Sequence, residues 1–223
     1  MGPTEIKFIA TPEKGEVSAL LLRPDNATHL LVLAHGAGSN MASPMLAKIA
    51  DALAGAGIAT FRYNFPYSEH GKARDANPVC AATARSACAA AGEAAPDLKL
   101  LAGGHSFGGR MTSTAASQEP LGGVRGLVFF SFPLHPPGRP SVERADHLFN
   151  VYVPMLFLTG RRDEFASGDL LPQTVSKLGK RATLHLVDTA DHGFKVLKRS
   201  RESKEDVFAE MARVVRSWAD LQP

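Results

Sequence analysis

A chain of 223 residues is long enough for one domain with a full hydrophobic core and short for two. With 44% hydrophobic and 21% charged residues it has the composition of a soluble globular protein, and a formal net charge of +3 is too small to argue for nucleic acid. The N-terminus, MGPTEIKFIA, shows no basic segment followed by an apolar run. No apolar stretch reaches the roughly 18 residues of a membrane span. Cys80 and Cys88 fall in one expected helix, about 12 Å apart at ~1.5 Å rise per residue, beyond the reach of a disulfide. Together these features predict a reduced, cytoplasmic protein that engages neither nucleic acid nor membrane. No Cys/His cluster has zinc spacing and no P-loop is present, so neither a metal nor a cofactor is expected.

The expected elements alternate along the chain. Ile6–Thr11 and Val17–Leu22 lie on either side of Lys14-Gly15 and read as two strands of an antiparallel hairpin. From there the order is strand Leu30–Ala34, helix Pro44–Ala56, strand Ile58–Tyr63, helix Pro78–Ala94, strand Lys99–Gly103 and helix Phe107–Gln118. Strands Val124–Ser131 and Met155–Thr159 follow, then helix Gly168–Leu178, strand Thr183–Val187 and helix Glu202–Leu221. The strand runs LLVLA, GLVFF and MLFLT are apolar throughout rather than alternating, as befits strands covered on both faces. In the last helix Val207, Phe208, Met211, Val214, Val215 and Trp218 repeat with a 3.6-residue period and form one core-facing stripe. The architecture implied is α/β, a mostly parallel sheet of about eight strands with helices on both faces, with residues 1–223 as one domain. Between Ser131 and Met155 there is room for a short helix near Val142–Phe149, but not for a cap domain.

LLAGGHSFGGR contains G-x-S-x-G as Gly104-His105-Ser106-Phe107-Gly108, after an apolar strand and at the start of a helix. That context is the one a nucleophile elbow requires, a sharp strand-to-helix turn that exposes a serine hydroxyl. Glycines beside the serine relieve crowding at a strained backbone, and the helix N-terminus favours negative charge developing at the reacting centre.

A serine hydroxyl is a weak nucleophile at neutral pH and needs a base, and the base needs an orienting group. In this arrangement the chain order is Ser, then Asp or Glu, then His. Asp163 in LTGRRDEF lies just past a strand end, and His192 in VDTADHGF just past the next. Glu164 adjoins Asp163, but the spacing after the strand favours Asp163. Asp188 and Asp191 flank the histidine too closely to face its ring, and Asp191 is better suited to shaping the loop. His105 neighbours the serine, yet adjacent strand side chains point to opposite faces, so it reads as packed beneath the elbow. His185 is mid-strand and reads as structural. The oxyanion of an acyl-transfer intermediate needs two N–H donors: Phe107, after the serine, and Ala37 in LAHGAGSN, with Gly36 next. His35 then belongs to the framework of that turn.

HGAGSNMASP, FRYNFPYSEHG, GGHSFGGRM, GLVFFSFPLHPPGRP, LTGRRDEF and DHGFK together resemble the small α/β-hydrolase family of bacterial dienelactone-hydrolase-like proteins. Eukaryotic relatives of that family include a testis-expressed protein and a subunit of the NSL histone acetyltransferase complex. The resemblance runs from about Leu30 to the last helix, with PLHPPG and NFPY its most specific segments. It implies the α/β-hydrolase fold, with nucleophile, acid and base at Ser106, Asp163 and His192. Dienelactone hydrolases proper use a cysteine where this chain has Ser106, so their substrate is not implied.

The expected activity is hydrolysis of small or medium carboxylic esters in an uncapped site, with a small-molecule ester as partner. Phe65, Tyr67, Phe132, Leu134 and Phe194 are candidates to line an apolar pocket beside Gly36 and Phe107. Arg62, Arg110 and His70 could meet an acidic substrate. A thioesterase would use the same residues, and a non-catalytic scaffold on the same fold is the alternative from a different class.

Overall fold

The computed structural model describes residues 2–222. The N-terminal hairpin is present as β1 (Thr4–Thr11) and β2 (Gly15–Leu22), antiparallel across a tight turn. β3 (His29–Ala34), α1 (Pro44–Gly55), β4 (Ile58–Tyr63), α2 (Pro66–Glu69) and α3 (Asn77–Ala94) follow. Next come β5 (Lys99–His105), α4 (Phe107–Gln118), β6 (Val124–Phe130) and a 3-10 helix, Glu143–Asn150. The chain ends with β7 (Met155–Gly160), α5 (Leu170–Leu178), β8 (Ala182–Val187) and α6 (Val207–Ala219).

The eight strands form one sheet in the order β1-β2-β4-β3-β5-β6-β7-β8. β2 is antiparallel to β1 and to β4, and the six strands from β4 to β8 run parallel. This is the α/β-hydrolase fold. Its strands bury both faces, which accounts for their unbroken apolar runs. Leu30, Val32, Leu127, Phe129, Met155 and Phe157 point into the layer formed with α3, α4 and α5. Their neighbours Leu31, Leu33, Val128, Phe130, Leu156 and Leu158 point into the layer formed with α1 and α6. Alternation along each strand therefore builds two cores from one continuous hydrophobic run.

Helix ends follow local chemistry. Ser43 caps α1, its hydroxyl accepting from the Leu46 N–H, with Pro44 in the first turn. Asp206 caps α6, accepting from the Phe208 and Ala209 N–H groups. The helix expected from Glu202 therefore begins only at Val207. The segment between β6 and β7 holds a single 3-10 helix and no cap domain. Among the described residues no helix is long and apolar enough to cross a membrane. Cys80 and Cys88 are free and buried, and burial raises both thiols to about 12.

Parallel pairing brings the carboxyl ends of β3 to β8 to one edge of the sheet. Ala34 is opposite Gly104, His105 opposite Phe130, and Gly160 opposite Val187. The loops bearing Ala37, Ser106, Asp163 and His192 all leave from that edge, where ligand sites of open α/β sheets form.

Candidate active site

The backbone turns sharply between β5 and α4. Ser106 sits at φ 52° and ψ −118°, a region that costs a non-glycine residue roughly 1–3 kcal/mol. The turn is held by the Ser106 N–H donating to the Phe130 carbonyl at 2.9 Å and by the Arg110 N–H donating to the Ser106 carbonyl at 3.2 Å. Glycine is required on both sides. A Cβ on Gly104 would lie 2.6 Å from the Ala34 carbonyl oxygen, and one on Gly108 would lie 2.5 Å from that of His35. These approaches press the elbow against the loop that follows β3.

The histidine loop reaches the serine from the other side. His192 Nε2 lies 2.9 Å from Ser106 Oγ, and His192 Nδ1 lies 2.8 and 2.9 Å from the two carboxylate oxygens of Asp163. A carboxylate only accepts, so Nδ1 carries the proton and Nε2 offers its lone pair to the hydroxyl. Asp163 is 2% exposed, and its Oδ1 also accepts from the Phe165 N–H at 2.8 Å. The Phe165 ring lies 4.2 Å from the His192 ring, centroid to centroid, and covers one imidazole face. Asp191 shapes the loop as its sequence position suggested. Its carboxylate accepts from the Gly193 and Lys195 N–H groups, both at 2.9 Å.

His105 bonds the histidine loop and not the Ser106 hydroxyl. Its Nε2 donates to the His192 carbonyl at 3.2 Å, and burial followed by the neighbouring His192 charge lowers it to about 4. It stays neutral and fixes the backbone of the loop that bears His192. His35 has a matching role in the loop after β3. Its Nδ1–H donates to the Gly36 carbonyl at 2.8 Å and its Nε2 accepts from the Phe65 N–H at 3.2 Å. Burial lowers it to about 4. His185 bonds Glu210 of α6 at 2.8 Å, a structural contact.

The loop of Gly36 and Ala37 is braced by the segment after β4. Asn64 Oδ1 accepts from the Met41 N–H at 2.8 Å, and Ser68 Oγ donates to the Ser39 carbonyl at 2.8 Å. Glu69 anchors that segment, accepting from Asn64 Nδ2, Ser18 Oγ and the Ser18 N–H. Burial alone would raise the Glu69 carboxyl, but hydrogen bonds from Asn64 and Ser18 outweigh it and lower it. Gly36 is buried and Ala37 exposed; among the described residues the Ala37 N–H has no acceptor. Phe107 is the first residue of α4, where an N–H has no intrahelical partner.

Several expected pocket residues lie beneath the site rather than on its surface. Phe65, Phe132 and Leu134 are 0% exposed, Phe194 2% and Tyr67 6%. The Phe65 ring is enclosed by His35, Tyr63, Tyr67 and Phe107. Phe132 rests on Phe129 and Phe157, and Phe194 on His105. Their apolar side chains gain more by closing the two cores under the loops than by facing water. Arg62 is buried in the layer toward Asp51, away from the elbow, and His70 is exposed. The open space beside His192 is instead a cleft of about 440 Å³ lined by Arg162, Glu164, Phe165, Asp191, His192, Gly193 and Lys195. Phe165 is the residue the sequence reading passed over, although RRDEF places it beside the acid. No group of three or more His, Cys, Asp or Glu side chains among the described residues could hold a metal ion.

A family model for an alpha/beta hydrolase domain matches residues 27–220. The chain belongs to the alpha/beta hydrolase domain family. Solved structures similar to this alpha/beta hydrolase include a dienelactone hydrolase from Anabaena variabilis, 20% identical with a TM-score of 0.72, covering 100% of this chain and 99% of that one. A serine hydrolase without lid from Xanthomonas campestris is 19% identical with a TM-score of 0.71, covering 98% and 95%. An esterase domain from a Rhodothermus marinus protein is 17% identical with a TM-score of 0.72, covering 100% and 99%. At these identities the likeness carries the fold of this alpha/beta hydrolase and leaves its activity to be argued from the site.

Proposed function

We propose that this alpha/beta hydrolase is a serine carboxylesterase for small or medium esters, working in the cytoplasm. The reading rests on the continuous hydrogen-bond chain from Asp163 through His192 to Ser106, at 2.8 and 2.9 Å. Ser106 Oγ attacks the ester carbonyl carbon as its proton passes to His192 Nε2, and the carbonyl electron pair moves onto oxygen. The Phe107 and Ala37 N–H groups donate to that oxyanion. Asp163 holds the Nδ1–H and stabilises the imidazolium. When the carbonyl re-forms, the alcohol departs with the proton from Nε2 and leaves acyl-Ser106. Water then gives a proton to Nε2 and attacks the acyl carbon, and Ser106 is released with its hydrogen as the acid leaves. The short connection between β6 and β7 supports an uncapped site open to several ester shapes.

Ser106→Ala should abolish labelling by a fluorophosphonate probe and reduce p-nitrophenyl ester turnover about 10⁶-fold. Undiminished turnover would remove Ser106 from the mechanism. Activity should also fall toward acid, because general-base catalysis by an imidazole requires its neutral form. His35 and His105, both lowered to about 4, remain neutral through that range. A profile flat down to about pH 5 contradicts the base assignment.

A further inference from the structure

We propose that the ester taken by this site carries an anionic group, bound by Arg74, Arg110 and Arg144 beside Phe107. The inference rests on the esterase reading above and adds a substrate class to it.

Three separate segments bring these arginines together. Arg110 lies one turn into α4, its Cζ 5.8 Å from the centroid of the Phe107 ring. Arg74, from the loop before α3, places its Cζ 4.9 Å from the same ring. Arg144 is in the first turn of the 3-10 helix. That helix is fixed to α4 by a 2.8 Å hydrogen bond between His147 Nε2 and Ser113 Oγ. Ser113 is one turn beyond Arg110 and His147 one turn beyond Arg144, so this bond packs the helix segments that carry the two arginines against each other. Arg110 is lowered by burial first, then by the charges of Arg144 and Arg74, which places each of these two cations within electrostatic reach of Arg110.

All three lack a counter-charge, as Arg62, Arg139, Arg161 and Arg199 do among the described residues, but two of these three lie over one ring beside Ser106 and the third is close to Arg110. Arg23, Arg85, Arg201, Arg213 and Arg216 each pair with a carboxylate. Among the described residues, none of the Arg74, Arg110 and Arg144 guanidinium groups makes a salt bridge or a hydrogen bond. Arg110 Nε is enclosed with no acceptor. The carboxylate nearest Arg74 in sequence, Asp75, meets Lys14 through Oδ1 at 2.7 Å, and its buried Oδ2 makes no hydrogen bond to Arg74. The Phe107 ring attracts the two cations that lie over it but does not neutralise them. Like charges gathered without a counter-ion repel, and here they gather next to the residue that follows the attacking serine. A carboxylate or phosphate on the acyl or alcohol part of the ester would complete the cluster through bidentate hydrogen bonds.

The test compares p-nitrophenyl hemiglutarate with the neutral p-nitrophenyl valerate. The wild-type protein should favour the anionic ester in kcat/KM, through KM, and added salt should reduce that preference. In the pair Arg74→Gln/Arg144→Gln the anionic-to-neutral ratio should fall roughly tenfold or more. Arg199→Gln, an exposed arginine outside the cluster, should keep the wild-type ratio. Competition by glutarate or by inorganic phosphate distinguishes a carboxylate from a phosphate. If esters turn over through Ser106 but the ratio is near one, or the paired substitution leaves it unchanged, this inference is overturned and the esterase reading stands. If no ester turns over and the fluorophosphonate does not label Ser106, the esterase reading fails. Calorimetric titration of the Ser106→Ala protein then decides the anion site: monomethyl glutarate should bind and dimethyl glutarate should not. Equal or no binding of the two rejects it.

Discussion

Asp163→Asn is the sharpest perturbation of the proposed mechanism, because two accounts of Asp163 predict losses of different size. In the native site Oδ1 accepts from the Phe165 N–H at 2.8 Å and also lies 2.8 Å from His192 Nδ1, while Oδ2 lies 2.9 Å from the same nitrogen. The Phe165 N–H fixes the amide oxygen of an asparagine at the Oδ1 position. The amide nitrogen then takes the Oδ2 position and donates toward Nδ1. If that amide N–H prevails over the amide oxygen, which lies 2.8 Å from the same Nδ1, the imidazole proton is driven to Nε2, where it faces Ser106 Oγ, and the base is gone. If Asp163 contributed only a charged hydrogen bond of about 1.5–3 kcal/mol, the loss in kcat would be about 10- to 150-fold. A tautomer switch should cost about 10⁴-fold, or ~5.4 kcal/mol. Initial rates with a p-nitrophenyl ester near neutral pH, alongside circular dichroism melts to verify folding, measure the difference. A folded variant losing no more than about 150-fold refutes the tautomer reasoning.

Two further substitutions test the scaffold. Gly108→Ala places a Cβ 2.5 Å from the His35 carbonyl oxygen, a backbone atom with no room to retreat. It should destabilise the protein by about 1–3 kcal/mol, read from the denaturant midpoint, and lower turnover as the Ala37 loop is displaced; an unchanged midpoint contradicts the contact. Glu69→Gln tests the brace behind that loop. Because the Glu69 carboxyl is lowered in the folded state, its contribution is present above the unfolded-state value and is lost as pH falls through the folded one. The melting temperature of wild type should therefore exceed that of the variant near neutral pH and converge with it toward acid. A gap independent of pH rules out the linkage.

The sheet, its two helical layers and the convergence of Ser106, Asp163 and His192 were legible because they depend on short-range signals. Apolar runs mark buried strands, and chemistry-bearing residues sit in short loops tied to strand ends. Longer-range contacts were not legible. The Ser18, Asn64 and Glu69 knot joins residues remote in sequence, and the short α2 that carries Glu69 has no periodicity to reveal it. β5 runs on to His105, past the Gly103 where propensity would stop it, because parallel pairing with β3 and β6 supports its glycines. The α6 start was misplaced because basic residues before Asp206 resemble helix material until the cap is recognised. Hydrophobicity marked Phe65, Phe132 and Leu134 as apolar but could not tell a wall from a lining, since both are built of the same residue types.

The position of β8 separates Ser106 from His192 in stability. Ser106 leaves β5, which has strands on both sides, whereas His192 leaves β8, the last strand, paired only with β7. The chain beyond β8 is held largely through α6 and the contacts of Glu210 with His185 and Arg201. Opening of this peripheral unit costs less than opening of the central sheet. Under mild denaturation His192 should therefore be displaced while the turn bearing Ser106 is still formed. The proposed activity should thus report on the integrity of the sheet's outer strand and fade before the fold does.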